Sequence, residues 1–180
     1  MKTTMLVLAS AVALSAGSAF IPYGPDSSAD AQRGMSAGRG AMAYVTKAGA
    51  GDLFEIQSSQ LAVRRATRPR VREFAQMLVT DHTRSTQLVA DAARSDGLNP
   101  PPPALQPAQR AMLRQLERAR PRDFERLYLN QQIPAHQQGL ALHRDYARSG
   151  SGAALRRVAG EVVPIVQHHL SDARALARGR

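Results

Sequence analysis

The sequence predicts an all-α protein built from a bundle of four long helices. Hydrophobic residues make up 43% of the 180 positions, whereas aromatic residues make up only 4% and tryptophan is absent. A core of alanine and leucine with few aromatic residues favours helices over sheets. From Ala41 onward, apolar residues recur with the period of a helix. Prolines and glycines then divide this stretch into segments of helical length.

The N-terminus has the pattern of a secretory signal peptide over residues 1–19. Lys2 precedes an apolar run from Met5 to Ala16, which is too short for a membrane span and ends in small residues. We expect cleavage after Ala19; a second small-residue site would allow cleavage after Ala31, and an uncleaved anchor is the alternative. The mature chain is therefore expected to be exported, periplasmic or secreted, without a transmembrane segment.

Residues 20–40 are rich in glycine, proline and serine, which predicts a flexible leader before a domain over residues 41–178. The first helix is predicted at about 41–67. The second is predicted at about 69–96, because Pro69 suits a first helical turn and Gly97 suits the position after a helix end.

The second half of the domain opens with an extended run, Pro100 to Pro103. A short helix is predicted at about 107–119, a third long helix at about 121–148 and a fourth at about 153–178. Pro134 and Pro164 fall inside the last two helices and are expected to kink them.

The lengths of the connections predict how the helices are arranged. Helices 1 and 2 are joined by a short link, as are helices 3 and 4, so each pair should form an antiparallel hairpin. More than twenty residues, including the short helix, join the two hairpins. One long crossover between two hairpins is the ferritin-like form of the four-helix bundle.

A set of residues between Ala41 and Leu176 matches a known family pattern: Glu55, Leu61-Ala62, Phe74 to Val79, Asp81-His82, Tyr128, Gln132, His136, Pro164 and His169-Leu170. In these residues the segment resembles an exported bacterial family of unknown function, whose members are often labelled predicted outer membrane proteins and assigned a ferritin-like fold. The resemblance implies this fold and export but no agreed activity.

One candidate site emerges from helical position: Glu55, His82, His136 and His169 lie on four different helices, on faces expected to point inward, near the helix midpoints. Imidazoles with a carboxylate suit one divalent transition metal: zinc, iron, manganese or copper. Asp81 or Gln132 could orient a ligating histidine. The alternative is a structural cluster in which the histidines only form hydrogen bonds.

The sequence contains no recognised catalytic motif, so an enzymatic role is not predicted. Cysteine is absent, which excludes thiolate chemistry. Di-iron bundles place Glu-x-x-His on two helices. Here the glutamates Glu55, Glu73, Glu125 and Glu161 are followed three places on by Ser58, Gln76, Tyr128 and Pro164, so oxygen-activating di-iron chemistry is not expected.

The formal net charge is +10, and removal of the signal peptide leaves +9, since Lys2 is its one charged residue. Nearly all the basic residues are arginines scattered over every helix, without interleaved aromatic residues, so nucleic-acid binding is not expected. An exported basic protein can instead bind anionic envelope components. The sequence thus predicts an exported bundle with a His/Glu metal site, or a non-enzymatic structural or polyanion-binding envelope protein.

Overall fold

The computed structural model describes residues 27–179 and places five helices and no strand in that range. These are α1 (Ser27–Arg65), α2 (Pro69–Ser95), α3 (Pro107–Arg118), α4 (Pro121–Ser149) and α5 (Ala153–Arg178). The signal peptide expected at residues 1–19 lies outside the described residues. Within them, none of the helices has a stretch that is both long and apolar enough to cross a membrane.

Helix α1 begins earlier than the sequence predicted. Residues 27–40 were expected to be part of a flexible leader, but they are helical and continue directly into the packed part of α1. This stretch contains no proline, and a glycine costs only about 1 kcal/mol relative to alanine within a helix. Its residues 32–40 are almost entirely exposed, which is why no apolar periodicity marked them as helical.

The other helix boundaries agree with the sequence prediction to within two residues. Pro69, Pro107 and Pro121 each occupy the first turn of a helix. Helix α2 ends in a Schellman motif: the N–H of Leu98 donates to the carbonyl of Ala93, and the N–H of Gly97 to that of Arg94. Gly97 has a φ of +79°, a conformation that glycine adopts without strain.

The four long helices pack around a shared interior. Helix α1 lies against α2 and α4, helix α5 lies against α4 and α2, and the short α3 covers part of α1 and α4. Two apolar clusters fill the two ends of this interior; Tyr44 and Leu155 belong to one, and Leu78 and Phe124 to the other. Along α1, α2 and α4, buried polar residues separate the two clusters, and on α5 the buried His169 lies close to their border.

Two carboxylates tie helix ends together across long sequence separations. Asp96, just after α2, accepts hydrogen bonds from the backbone N–H groups of Ala154 and Leu155 at the start of α5, at 3.1 and 2.9 Å. Glu125 on α4 accepts hydrogen bonds from the backbone and side chains of Thr67 and Arg68 in the α1–α2 link. These contacts fix both hairpin turns on the rest of the bundle.

Candidate metal centre

Three histidine side chains meet in the polar layer between the two apolar clusters. His82 comes from α2, His136 from α4 and His169 from α5, and each is at least 94% buried. The ring centroids are 5.5 Å apart for His82 and His136, 5.4 Å for His82 and His169, and 5.5 Å for His136 and His169. The rings therefore form a nearly equilateral triangle inside the bundle.

Each ring is held by a hydrogen bond at one nitrogen. Nδ1 of His82 lies 2.8 Å from Oδ1 of Asp52 on α1, and the other oxygen of Asp52 accepts a hydrogen bond from Thr86 at 3.2 Å. Nε2 of His169 lies 2.9 Å from Oδ2 of Asp81 on α2. A carboxylate accepts only, so both imidazoles donate at these nitrogens.

His136 is held by its own helix. Its Nδ1 atom lies 2.9 Å from the backbone carbonyl oxygen of Gln132, one turn earlier on α4, and donates to it. The same nitrogen lies 3.5 Å from Oε1 of Glu55. These contacts hold all three imidazoles in defined orientations.

The opposite nitrogen of each ring has no hydrogen-bond partner among the described residues. These atoms are Nε2 of His82, Nε2 of His136 and Nδ1 of His169, all fully buried. One ligand nitrogen from each ring lies within 4.8 Å of the other two. An ion at about 2.0–2.1 Å from three imidazole nitrogens would need each of them to move inward by less than about 1 Å.

Burial favours the neutral form of two of the three imidazoles, which is the form that can bind a metal. It lowers the pKa of His136 to about 3, with a further contribution from the charge of His82. Burial likewise lowers the pKa of His169, although the hydrogen bond to Asp81 acts in the opposite direction. For His82, burial acts to lower the pKa, but the hydrogen bond and charge of Asp52 outweigh it and leave the pKa raised.

Glu55 lies beside His136, with its Oε1 atom 3.5 Å from Nδ1, the nitrogen that donates to the carbonyl of Gln132. Its Oε2 atom is buried without a hydrogen-bond partner in the described part of the chain. Burial raises the pKa of Glu55 to about 8. The group of residues that could hold an ion within the described range consists of the three histidines alone. Direct ligation by Glu55 remains a prediction from the sequence.

The two residues expected to orient the histidines take different parts in the structure. Asp81 binds His169 through its carboxylate, whereas Gln132 binds His136 through its backbone carbonyl. The side-chain amide of Gln132 donates instead to Ser58, at 3.0 Å. Nearby, Ser59 and the hydroxyl of Tyr128 are hydrogen-bonded at 2.8 Å.

Sequence reasoning did not single out Asp52 as the partner of His82. The sequence does indicate that Asp52 faces the interior, because Asp52 lies about one helical turn before Glu55 on the same mixed face of α1. His143 is a fourth buried histidine, for which the sequence pattern predicted no role. Its Nδ1 atom lies 2.9 Å from the hydroxyl of Tyr44, and burial lowers its pKa.

Two cavities reach the triangle from opposite sides. A cleft of about 590 Å³ between α1, α3 and α4 ends at Asp52, Glu55, His82 and His136. A smaller hollow of about 170 Å³ between α2 and α5 is lined by Asp81, His82 and His169, with Ile165 at its exposed side. The three-histidine centre is therefore buried yet reachable.

The arrangement is suited to holding one transition-metal ion. Three imidazoles are a donor set for zinc, copper, iron or nickel, and carboxylates that hydrogen-bond the far nitrogen of a ligating histidine fix its orientation and raise its basicity. The three buried nitrogens that have no partner among residues 27–179 are the atoms that such an ion would bind. The fold and this site define a helical bundle with a buried three-histidine centre.

The chain belongs to the family described as a domain of unknown function, DUF4142, whose model matches residues 25–176. That description agrees with the family of unknown function expected from the sequence and carries no statement about the outer membrane. No curated protein matches the sequence.

Three solved structures share the fold. A DUF305 fragment from Deinococcus radiodurans aligns with a TM-score of 0.68 and 14% identity, over 78% of this chain and 96% of that one. CopM in the Cu(I)-bound form aligns with a TM-score of 0.66 and 14% identity, and CopM in the Cu(II)-bound form with 0.65 and 13%; each covers 77% of this chain and 96% of that one. At such low identity the likeness concerns the helical fold.

Proposed function

We propose that this protein binds one copper ion on His82, His136 and His169. The observation that carries the proposal is a cluster of three buried histidines, each with one ring nitrogen that has no hydrogen-bond partner in the described residues and each offering a ligand nitrogen within 4.8 Å of the other two. An unpaired polar atom buried in a protein costs about 1–3 kcal/mol. An ion bound by all three nitrogens removes this cost at once.

The alternative, a structural cluster held by hydrogen bonds, accounts for the outer nitrogens but not for the inner ones. In such a cluster the rings would donate to each other or to Glu55 through the nitrogens that face the centre. Instead, each ring uses its outer nitrogen for Asp52, Gln132 or Asp81. The hydrogen bonds thus orient the rings around a common point.

Copper is proposed rather than another metal for two reasons. Imidazole ligands suit copper, and copper(II) forms the most stable complexes of the divalent first-row metals. Two of the solved structures with this fold are CopM in copper-bound forms. In the bound state the ion would supply a positively charged, ligand-exchanging centre, and Asp52 and Asp81 would hold two of its ligands in place.

Two experiments test the proposal. Elemental analysis of the protein purified from its own cells should find about one copper per chain. Competition titration with a chelator should then give a tight copper site that weakens at least 100-fold in His82→Ala, His136→Ala and His169→Ala. His168→Ala is the matched control, because His168 is exposed and lies 3.4 Å from Asp172 on the surface of α5. Equal affinity in all four variants would refute the site.

We further infer the ferritin-like arrangement of the bundle, with α1/α2 and α4/α5 as antiparallel hairpins. The packing of α1 on α2 and α4, and of α5 on α4 and α2, supports it. A di-iron reaction of the ferritin type is not part of the proposal, since no glutamate of the chain is followed by histidine three residues later.

Export to the cell envelope belongs to the same proposal. It is supported by the signal-peptide pattern of residues 1–19, with Lys2 ahead of the run from Met5 to Ala16. N-terminal sequencing of the mature protein should start at Phe20. A mature chain that retains Met1 would contradict export by cleavage.

A second proposal concerns anionic envelope components as partners. The outer surface is strongly basic, because the formal net charge is +10 and two of the carboxylates, Asp52 and Glu55, are buried in the interior. Binding to anionic lipid vesicles should weaken steeply with added salt, because exposed charges are screened. Binding that ignores salt would contradict this partner class.

A further inference from the structure

We propose that the cleft between α1, α3 and α4 is the exchange site of the centre, where an anionic chelate docks beside His82 and His136 and passes the ion by ligand exchange. The inference rests on the proposed function, because it requires a bound ion. It adds a class of substrate, namely small chelates with carboxylate donors. It also adds the side of the bundle from which such a chelate reaches the ion.

The cleft has the size and lining of a small-molecule site. Its volume of about 590 Å³ lies within the range of about 300–1,000 Å³ typical of ligand pockets. The walls include apolar side chains such as Phe54 and Leu142, and the floor is formed by buried groups, among them both histidines. A ligand in the cleft would therefore be in direct reach of the triangle edge formed by His82 and His136.

The mouth of the cleft carries groups that recognise carboxylates. Lys47, Gln106 and Gln138 line it and are exposed. The ammonium group of Lys47 is positively charged at neutral pH, and the side-chain amides of both glutamines donate hydrogen bonds. An incoming carboxylate chelate thus meets a cation and neutral donors before it reaches the ion.

The hollow on the opposite side is a poorer entrance. It holds about 170 Å³, against about 590 Å³ for the cleft. The charged side chains do not separate the two, because Asp81, Glu161 and Arg84 line the hollow and Asp52, Glu55 and Lys47 line the cleft. Ile165, which is 42% exposed, narrows its outer side. The larger volume therefore favours the cleft as the exchange side.

The exchange itself is a substitution at the metal. A carboxylate oxygen or amine nitrogen of the chelate donates an electron pair to the ion while the bond from the ion to one histidine nitrogen breaks. Repetition at the other two histidines completes the transfer, and all three ring nitrogens regain their lone pairs. The oxidation state of the ion is unchanged, so no oxidant or reductant is required.

Two glycines allow the cleft to be filled selectively. Gly51 on α1 and Gly139 on α4 line it, and a Cβ added at either position meets no atom within 4 Å. Gly51→Phe and Gly139→Phe should therefore occupy the cleft without a clash at their first carbon. Gly38→Phe is the matched control, because Gly38 is also a helical glycine with open space around it but does not line the cleft. Ile165→Trp fills the hollow instead.

The test loads each variant with copper(II), adds EDTA in excess and follows release of the ion by stopped-flow absorbance. In the native protein the release rate should rise in proportion to the EDTA concentration. It should fall at least ten-fold in Gly51→Phe and Gly139→Phe, with copper affinity within two-fold of native, and stay unchanged in Gly38→Phe and Ile165→Trp. Circular dichroism of each variant and the smaller substitutions Gly51→Leu and Gly139→Leu guard against misfolding.

Several results would overturn the proposal. These are a release rate independent of EDTA concentration, native rates in both cleft variants, or slow release confined to Ile165→Trp. Failure of the native protein to bind copper at all would refute the proposed function itself, and the affinity measurement separates that outcome from failure of the exchange route.

Discussion

Oδ1 of Asp52 lies 2.8 Å from Nδ1 of His82, and this contact determines which nitrogen of His82 faces the other two histidines. The carboxylate can only accept, so His82 carries a proton on Nδ1, and Nε2 is the nitrogen without a partner in the described residues. Asp81 does the same for His169 with the opposite nitrogen. The centre is therefore shaped as much by two carboxylates as by its three imidazoles.

Removing the carboxylate charge should weaken metal binding without removing a ligand. Asp52→Asn is expected to lower copper affinity by about 10- to 100-fold, because the groups that orient ligating histidines contribute on that scale. A competition titration with a chelator measures it. Asp145→Asn is the control, since Asp145 lies at the exposed end of α4 and pairs with Arg148. An affinity equal to that of the native protein would show that Asp52 does not orient a ligand.

The carboxylate of Asp96 should contribute to stability by capping α5 from a distance. Asp96→Ala leaves the N–H groups of Ala154 and Leu155 without their acceptor. Loss of a helix N-cap costs about 0.5–2 kcal/mol of unfolding free energy, which urea denaturation will detect. Asp91→Ala, on the exposed face of α2, should change stability by less than about 0.5 kcal/mol. Equal effects of the two substitutions would contradict the capping role.

Gly152 should tolerate no side chain. Its φ is +92°, and an added Cβ would clash with Oδ2 of Asp96. Gly152→Ala is therefore expected to destabilise the protein by more than about 1 kcal/mol. In contrast, Gly160→Ala lies within α5 and meets only Ala147, at 4.0 Å, so it should be neutral or stabilising. Thermal unfolding of both variants tests the contrast, which a neutral Gly152→Ala would contradict.

The pH dependence of stability should include a contribution from Glu125. Burial acts to raise its pKa, but hydrogen bonds from Arg68 and Thr67 outweigh burial and lower the pKa below the ordinary 4.5. The folded state thus favours the charged form, so the stabilisation is complete above pH 4.5 and is lost as the pH falls through the lowered pKa.

Glu125→Gln tests this dependence. At pH 7 the free energy of unfolding of the variant should be about 1–2 kcal/mol lower than that of the native protein, because hydrogen bonds to a charged group are lost. The difference should shrink on acidification below pH 4. Urea titrations at both pH values measure it, and a difference that stays constant or grows in acid would contradict the assignment.

The sequence was sufficient to predict the packed helices because their ends are marked chemically. Pro69, Pro107 and Pro121 have a fixed φ that suits a first helical turn, and Gly97 suits the position after a helix end. The start of α1 carries no such signal, and its exposed residues show no apolar period. The sequence therefore could not distinguish a solvated helix from a flexible leader there.

The candidate site was predictable in part, since the heights of His82, His136 and His169 along their helices follow from helix lengths alone. The ring orientations were not predictable. They depend on side-chain rotamers and on which acceptor lies nearest, as with Asp52 rather than Glu55 for His82. These are properties of the packed bundle and not of any single helix.

The most direct test of the central claim is anomalous diffraction from crystals of the copper-loaded protein, recorded at the copper absorption edge. We predict one strong peak per chain, bonded to Nε2 of His82, Nε2 of His136 and Nδ1 of His169, the three atoms left without partners in the described residues. A copper peak elsewhere on the chain, with the three rings hydrogen-bonded to one another, would contradict the account.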